Sequence, residues 1–300
     1  GNLAKATVQV SSGKKFLKSS EDTLSAVRAY RVRQDLSRNS VYTDNIEEVQ
    51  GYLDQSETTL MGIKEILVNA KENLVQSSNG TMTEENRKIT SDIFKGFQSQ
   101  LLQLSNTNYA GKYIFGGSNI SNKPFTIKDG KMFYNGQDCN SDSVKGEGLY
   151  IDLGLGLSTP SGVLDKGSAF SISILGSDAL GTGIDSDGMS NNIYNLFSDI
   201  IKSLDSGDVD MIQKQAGKLE DCTDNVMVQI AGIGEKVEFV DFISDRLSTT
   251  KLNLTEKQSS IEDLNLAMGM TDYTSAQLTY MASIQMGAKI MQKSLLDFLS

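Results

Sequence analysis

Apolar residues recur every seven positions in two widely separated stretches of the chain. In the first, Ile46, Leu53, Leu60, Leu67 and Leu74 are seven apart, and Val49, Ile63 and Ala70 fill the intermediate position with Ser56 as its one polar gap. Such a repeat draws a stripe down one side of a helix and predicts a coiled-coil-like seam. Ser20, followed by Glu21 and Asp22, is the predicted N-cap, and Asn79-Gly80 the predicted end. At about 1.5 Å per residue this is a rod of roughly 80 Å. The second stretch places Ile212, Leu219, Val226, Ile233, Val240, Leu247 and Leu254 in the same register, with Ala216, Ile230 and Val237 at the partner position and Asp208 as cap. The two rods are expected to pair, with Leu53, Leu60 and Ile63 facing residues such as Ile233, Val237 and Val240.

Shorter helices flank the rods. Thr81 and Glu84 have capping-box spacing. A helix folding back on the first rod is expected behind them, with Ile89, Ile93, Phe97, Leu101, Leu104 and Asn108 on one face and an end near Tyr109-Ala110-Gly111. Ile193, Phe197, Ile200 and Leu204 predict a short amphipathic helix closed at Ser206-Gly207. Tyr273 to Phe298 reads as a C-terminal helix with a broad apolar face: Leu278, Met281, Ile284, Ala288, Met291, Leu295 and Phe298.

Between these helical flanks the pattern changes. Residues 116–188 hold 14 of the 27 glycines and both prolines. Asp129-Gly130, between Phe125–Lys128 and Lys131–Tyr134, is a strong hairpin signal, because both turn positions must tolerate positive φ. Tyr150–Leu153 and Phe170–Ile174 alternate with period two. A small sandwich or barrel is expected. The fold class is therefore mainly α with an inserted β domain: an elongated bundle of paired heptad rods plus a small all-β outer domain.

Composition removes several functions. The chain has no His, which rules out Ser-His-Asp and Cys-His sites and removes the commonest metal ligand. The net charge of −10 argues against a nucleic-acid partner. Residues 1–20 are locally basic, with Lys5, Lys14, Lys15 and Lys18, and are read as a solvated, poorly packed end. No segment approaches the roughly 18 apolar residues of a membrane span, so no membrane partner is expected. Cys139 and Cys222 match no zinc or redox spacing; isolated thiols are favoured and a disulfide stays open.

The remaining motifs are weak. Asp185-Ser-Asp187-Gly188 resembles the start of a calcium loop, but Met189 and Leu196 stand where ligands are needed. Gly154-Leu-Gly156 lacks the third glycine of a dinucleotide fingerprint. Asp138, Asp142, Asp152 and Asp165 sit in turn-like contexts. No catalytic residue, cofactor or metal is assigned.

Particular segments resemble the flagellin family. Ser11-Ser-Gly13-Lys14-Lys15, followed by Ser19-Ser20-Glu21-Asp22, is similar to that family's N-terminal signature, with Lys18-Ser19 and Thr23 at positions where proline is usual. Asn79-Gly80-Thr81 before Glu84-Glu85, Tyr113-Ile-Phe-Gly116-Gly117, and Tyr134-Asn135-Gly136 resemble the branch of the family that joins hook to filament. Ala288 to Leu299 resembles the family's terminal helix.

The resemblance implies a structural, non-enzymatic subunit of the bacterial flagellum. It would be exported without signal cleavage and located outside the cell, between the first hook-associated protein and the flagellin filament. It also implies self-association in a ring and a flagellar export chaperone on the C-terminal helix. The implied domains are terminal assembly helices (1–20 and 268–300), a discontinuous helical rod domain (21–115 and 189–267) and a β-rich outer domain (116–188). Core and assembly would rest on Ile46, Leu53, Leu60, Ile63, Leu67, Ile233, Val237, Val240, Leu247, Leu278, Met281, Ile284 and Leu295. Family members start upstream of Gly1, so the last helix is expected to lack its partner, to be loosely docked, and to leave the present chain monomeric. A flagellin filament subunit and a secreted adhesin-like module on a helical stalk are the alternatives.

Overall fold

The structure, a computed structural model, describes residues 1–77, 83–154 and 170–298, with side chains through Lys289. Among the described residues three helices are followed by seven short strands and then four helices, and the chain divides into two compact units, one made of residues 1–41 and 246–300, the other of residues 42–245. Two long helices, α2 (Thr23–Ser77) and α6 (Val209–Glu262), contribute to both units.

In the unit of residues 42–245, α2 and α6 run antiparallel. Gln50 Nε2 donates to Asp241 Oδ1 at 2.8 Å, and Lys71 pairs with Glu220 at 2.9 Å. The heptad stripes are buried as their spacing requires: Leu53, Leu60, Ile63, Leu67 and Leu74 on α2, and Ile212, Leu219, Val226, Ile233 and Val240 on α6, have no exposed surface. Burial of each such side chain stabilises by about 1.5–3 kcal/mol. Ser56, the polar gap, is also fully buried, and its hydroxyl donates to the Tyr52 carbonyl one turn back, so that hydroxyl is not orphaned.

Helix α3 (Glu84–Ser105) starts at Thr83, whose hydroxyl accepts from the Asn86 N–H. The expected cap, Thr81, and the Asn79-Gly80 turn lie outside the described residues. Two further expectations for α3 are corrected. Ile89 and Ile93 are exposed, while Thr90, Ser91, Phe94 and Leu101 face inward. Small polar residues allow close approach to α2, where Ser77 Oγ donates to Thr90 Oγ1, and Phe94 packs edge-on against Phe197 of α5 (Ile193–Ser206) at 5.4 Å. The helix also stops earlier than its pattern suggests, because Asn108–Tyr109 (β1) and Lys112–Tyr113 (β2) form a tight hairpin around Ala110-Gly111, both with positive φ. Helix α5 begins at Asn192, which accepts from Asn195 N, and ends at Gly207 with φ 72°.

The β segment is a set of small antiparallel sheets and, among the described residues, neither a sandwich nor a barrel. Phe125–Lys128 (β3), Lys131–Tyr134 (β4) and Gln137–Asp138 (β5) form a three-stranded sheet; Tyr150–Ile151 (β6) pairs with Phe170–Ser171 (β7). Both turns of the larger sheet use positive φ, at Asp129-Gly130 and Asn135-Gly136. A short helix, α4 (Gly176–Leu180), interrupts the segment expected to be all-β. The sheet is anchored to the helices: the Met132 N–H donates to Asn195 Oδ1 of α5, and Tyr52 of α2 donates to the Ile114 carbonyl. Residues 116–188 thus fall in the same compact unit as the helices around them.

The other unit contains α1 (Asn2–Ser12), α7 (Leu266–Phe298), the first turns of α2 and the last turns of α6. The cap of α2 is Asp22, not Ser20: its carboxylate accepts from the Ser25 N–H at 3.0 Å. Ala29, Val32 and Asn39 form the buried face of α2 here.

Candidate assembly surface

The first twenty residues are largely exposed, as expected of a solvated end, with Ala6 buried, yet they form a helix and hydrogen-bond to the rest of their unit. Helix α1 closes at Gly13, in the left-handed region at φ 68°, and the chain then pairs with the α6–α7 junction. The Leu264 N–H donates to the Gly13 carbonyl, and the Lys15 N–H to the Glu262 carbonyl. This brings α1 back along α7, where residues 1–9 and 272–283 line one groove. The last helix, expected to lack its partner, has one in α1 over this stretch, a pairing that sequence periodicity did not reveal.

An ionic latch holds this arrangement. Glu262 is 3% exposed, and Arg33 Nε donates to its Oε1 at 2.8 Å while Lys14 Nζ lies 3.4 Å from its Oε2. Lys14 also reaches Asp263 Oδ1 at 2.6 Å. The Arg33 hydrogen bond holds the Glu262 carboxyl below its ordinary range, against a burial that alone would raise it. The Lys14 hydrogen bond does the same for Asp263 and raises Lys14 in return. A carboxylate so buried is tolerated only with such partners. Sequence reading missed Glu262, whose partners are far away in the chain; the lysine pair after Gly13 was the one available signal.

The sequence-derived core and assembly residues divide into three groups. Ile46, Leu53, Leu60, Ile63, Leu67, Ile233, Val240 and Leu247 are buried, and Val237 is half-buried. On α7, Leu278, Met281 and Ile284 are 69%, 51% and 54% exposed. Leu295 lies outside the described side chains. Leu266, Met268 and Met286 extend the exposed apolar face of α7.

The weaker chemical candidates are occupied by structural roles. Lys218 places its ammonium 2.9 Å from Asp185 Oδ2, and Asp185 Oδ1 accepts from the Asp187 and Met189 N–H groups. Burial would raise the Asp185 carboxyl; Lys218 and the two backbone donors more than offset it. The calcium-like loop is thus internally neutralised. Asp138 and Asp152 accept from backbone N–H groups two residues on, as turn residues do; Asp165 lies outside the described residues. Cys139 and Cys222 are free and buried, and burial pushes each thiol up to about 12. Among the described residues no group of three His, Cys, Asp or Glu could hold a metal, and no helix is long and apolar enough to cross a membrane.

Residues 1–120 match the family model of the bacterial flagellin N-terminal helical region. Flagellar hook-associated protein 3 of Escherichia coli K12 is 32% identical over 124 residues, 41% of this chain and 39% of that protein. Its Salmonella typhimurium counterpart is 29% identical over 118 residues, 39% of this chain and 37% of that protein. The chain thus spans about two fifths of the length of these curated relatives in the matched region. Among solved structures, a putative flagellar hook-associated protein from Vibrio parahaemolyticus superposes with TM-score 0.67 over 81% of this chain and 100% of that one, at 16% identity. Flagellar hook-associated protein 3 from Legionella pneumophila gives TM-score 0.63 over 77% and 98%, at 11% identity. The first 120 residues are therefore similar to the flagellin N-terminal helical region, and the chain shares the fold of these two solved structures.

Proposed function

We propose that this chain is a structural subunit of the bacterial flagellum that joins the hook to the flagellin filament, and that it catalyses nothing. The similarity to hook-associated protein 3 supports the location, and one observation carries the mechanism. Helix α7 keeps Leu278, Met281 and Ile284 largely in water although α1 already packs against it. A helix with that much exposed apolar surface is built to be covered by another chain. In the assembled flagellum the cover would be neighbouring copies in a ring, the first hook-associated protein on one side and flagellin on the other. Before assembly a flagellar export chaperone would shield the same helix. The subunit would act outside the cell.

The test is complementation of a strain deleted for its own junction subunit. The wild-type chain should restore filaments on hooks, seen by electron microscopy. A variant carrying Leu278→Asp and Ile284→Asp should fold normally yet leave bare hooks and release flagellin into the medium. Bare hooks with the wild-type chain, or full filaments with the variant, would overturn the reading.

A further inference from the structure

Helix α2 carries two further stripes of heptad spacing besides the buried one, offset from each other by one position, and both face water. In its first third the positions are Leu24, Val27, Arg31, Gln34, Arg38 and Val41, alternately three and four apart and all exposed; the three apolar members are 63%, 47% and 54% exposed. In the unit of residues 42–245 the same spacing returns as Thr58, Met61, Glu65, Val68, Glu72 and Val75, again all exposed. Val68 and Val75 there line a groove whose other wall is Glu220, Thr223 and Asp224 of α6. Exposed apolar residues at this spacing, interleaved with charges of one sign in each stripe, suit docking of another helix that carries the opposite charges.

We propose that these two seams are the halves of one contact between copies of this chain, with residues 24–41 of one copy lying parallel to residues 58–75 of the next. Setting residue n against residue n + 34 puts Val27 beside Met61 and Val41 beside Val75. The same alignment puts Arg31 beside Glu65 and Arg38 beside Glu72. At the flanking positions, which meet across a parallel pair, it joins Arg28 to Glu57 and Asp35 to Lys64. The antiparallel arrangement that keeps both Arg–Glu pairs sets Val27 against Gln76 and Val41 against Gly62, so the pattern selects the parallel one.

Charge is divided along the chain in the same sense. Residues 1–41 have eight Lys or Arg against three Asp or Glu, while residues 42–245 have fifteen against thirty. The contact uses a different surface on each partner, so each copy keeps one seam free to continue the series, closing into a ring or extending as a chain. Arginine and glutamate at the seam centre make it selective, weak and salt-sensitive. This deepens the subunit reading above and rests on it for the expectation that copies meet.

The experiment is disulfide trapping of the purified chain carrying Val41→Cys and Val75→Cys. Native Cys139 and Cys222 are buried and stay silent. Mild oxidation at low ionic strength should give a ladder of linked multimers, roughly tenfold more than either single substitution, and about 0.5 M salt should suppress it. Adding Arg31→Glu and Arg38→Glu should abolish the ladder, and further adding Glu65→Arg and Glu72→Arg should restore it. No excess over the single substitutions, no effect of charge reversal, or no restoration overturns the contact. In cells, an Arg31→Glu, Arg38→Glu chain that still joins hook to filament overturns this contact and leaves the subunit reading standing. Bare hooks with the wild-type chain overturn the subunit reading itself.

Discussion

Arg33 and Glu262 lie 229 positions apart in the sequence, yet the guanidinium donates to the carboxylate at 2.8 Å, and Glu262 is almost fully buried at that contact. Lys14 reaches the same carboxylate from the segment that follows α1. One side chain thereby ties three segments of its unit together.

Replacing Glu262 by Gln should lower the stability of that unit by roughly 1–3 kcal/mol, since two charge-assisted contacts are lost and Arg33 is mostly exposed. The pH dependence follows in sign. The Glu262 and Asp263 carboxyls are held below ordinary values of 4.5 and 3.8, so their contribution is present above those values and is lost as pH falls through the folded ones. Thermal melts from about pH 7 to 3 should show a wild-type loss below about pH 5 that Glu262→Gln flattens. Equal slopes for the two proteins would contradict the latch.

Leu60→Ala and Ile233→Ala should each cost roughly 2–5 kcal/mol in denaturant unfolding, because both side chains are fully buried on facing heptad stripes. Leu278→Ala, at 69% exposure, should change stability by no more than about 0.5 kcal/mol. Unchanged melting for Leu60→Ala would mean that α2 and α6 do not share a core.

Two glycine substitutions should act in opposite directions. Gly181 has φ 76°, and a Cβ there would stand 2.1 Å from the Asn191 carbonyl oxygen, so Gly181→Ala should destabilise by at least about 1–3 kcal/mol. Gly217 lies within α6 with open space around its would-be Cβ, so Gly217→Ala should stabilise by about 0.5–1 kcal/mol. Calorimetry on the pair reads both signs at once.

Neither cysteine should react with a thiol reagent at pH 8 in the folded protein, and both should react once it is unfolded in guanidinium. Burial both blocks access and holds the thiols protonated, near 12. Rapid native labelling of Cys222 would show that α6 opens locally.

Much of this protein is written in its spacing. Leu53, Leu60 and Leu67 are buried because a seven-residue repeat in a helix has only one face on which to lie. Asp129-Gly130 and Asn135-Gly136 make turns because those residues tolerate positive φ. Asp208 caps α6 through the Met211 N–H, and Gly207 closes α5, for equally local reasons. The absence of histidine closes off Ser-His-Asp and Cys-His chemistry whatever the fold.

Tertiary structure decided what depends on residues distant in the chain. Periodicity places Ile89 and Ile93 on the apolar face of α3, but Phe94, Thr90 and Ser91 face inward, because the shapes of α2 and α5 choose which side of α3 can approach. The Asp185 loop looks like a cation site until Lys218 is seen to fill the place of the cation. The role of Glu262 and the pairing of α1 with α7 are likewise invisible along the chain. A local pattern determines which face of an element is apolar. Only the folded chain determines which charges meet and which apolar faces, such as that of α7, remain uncovered.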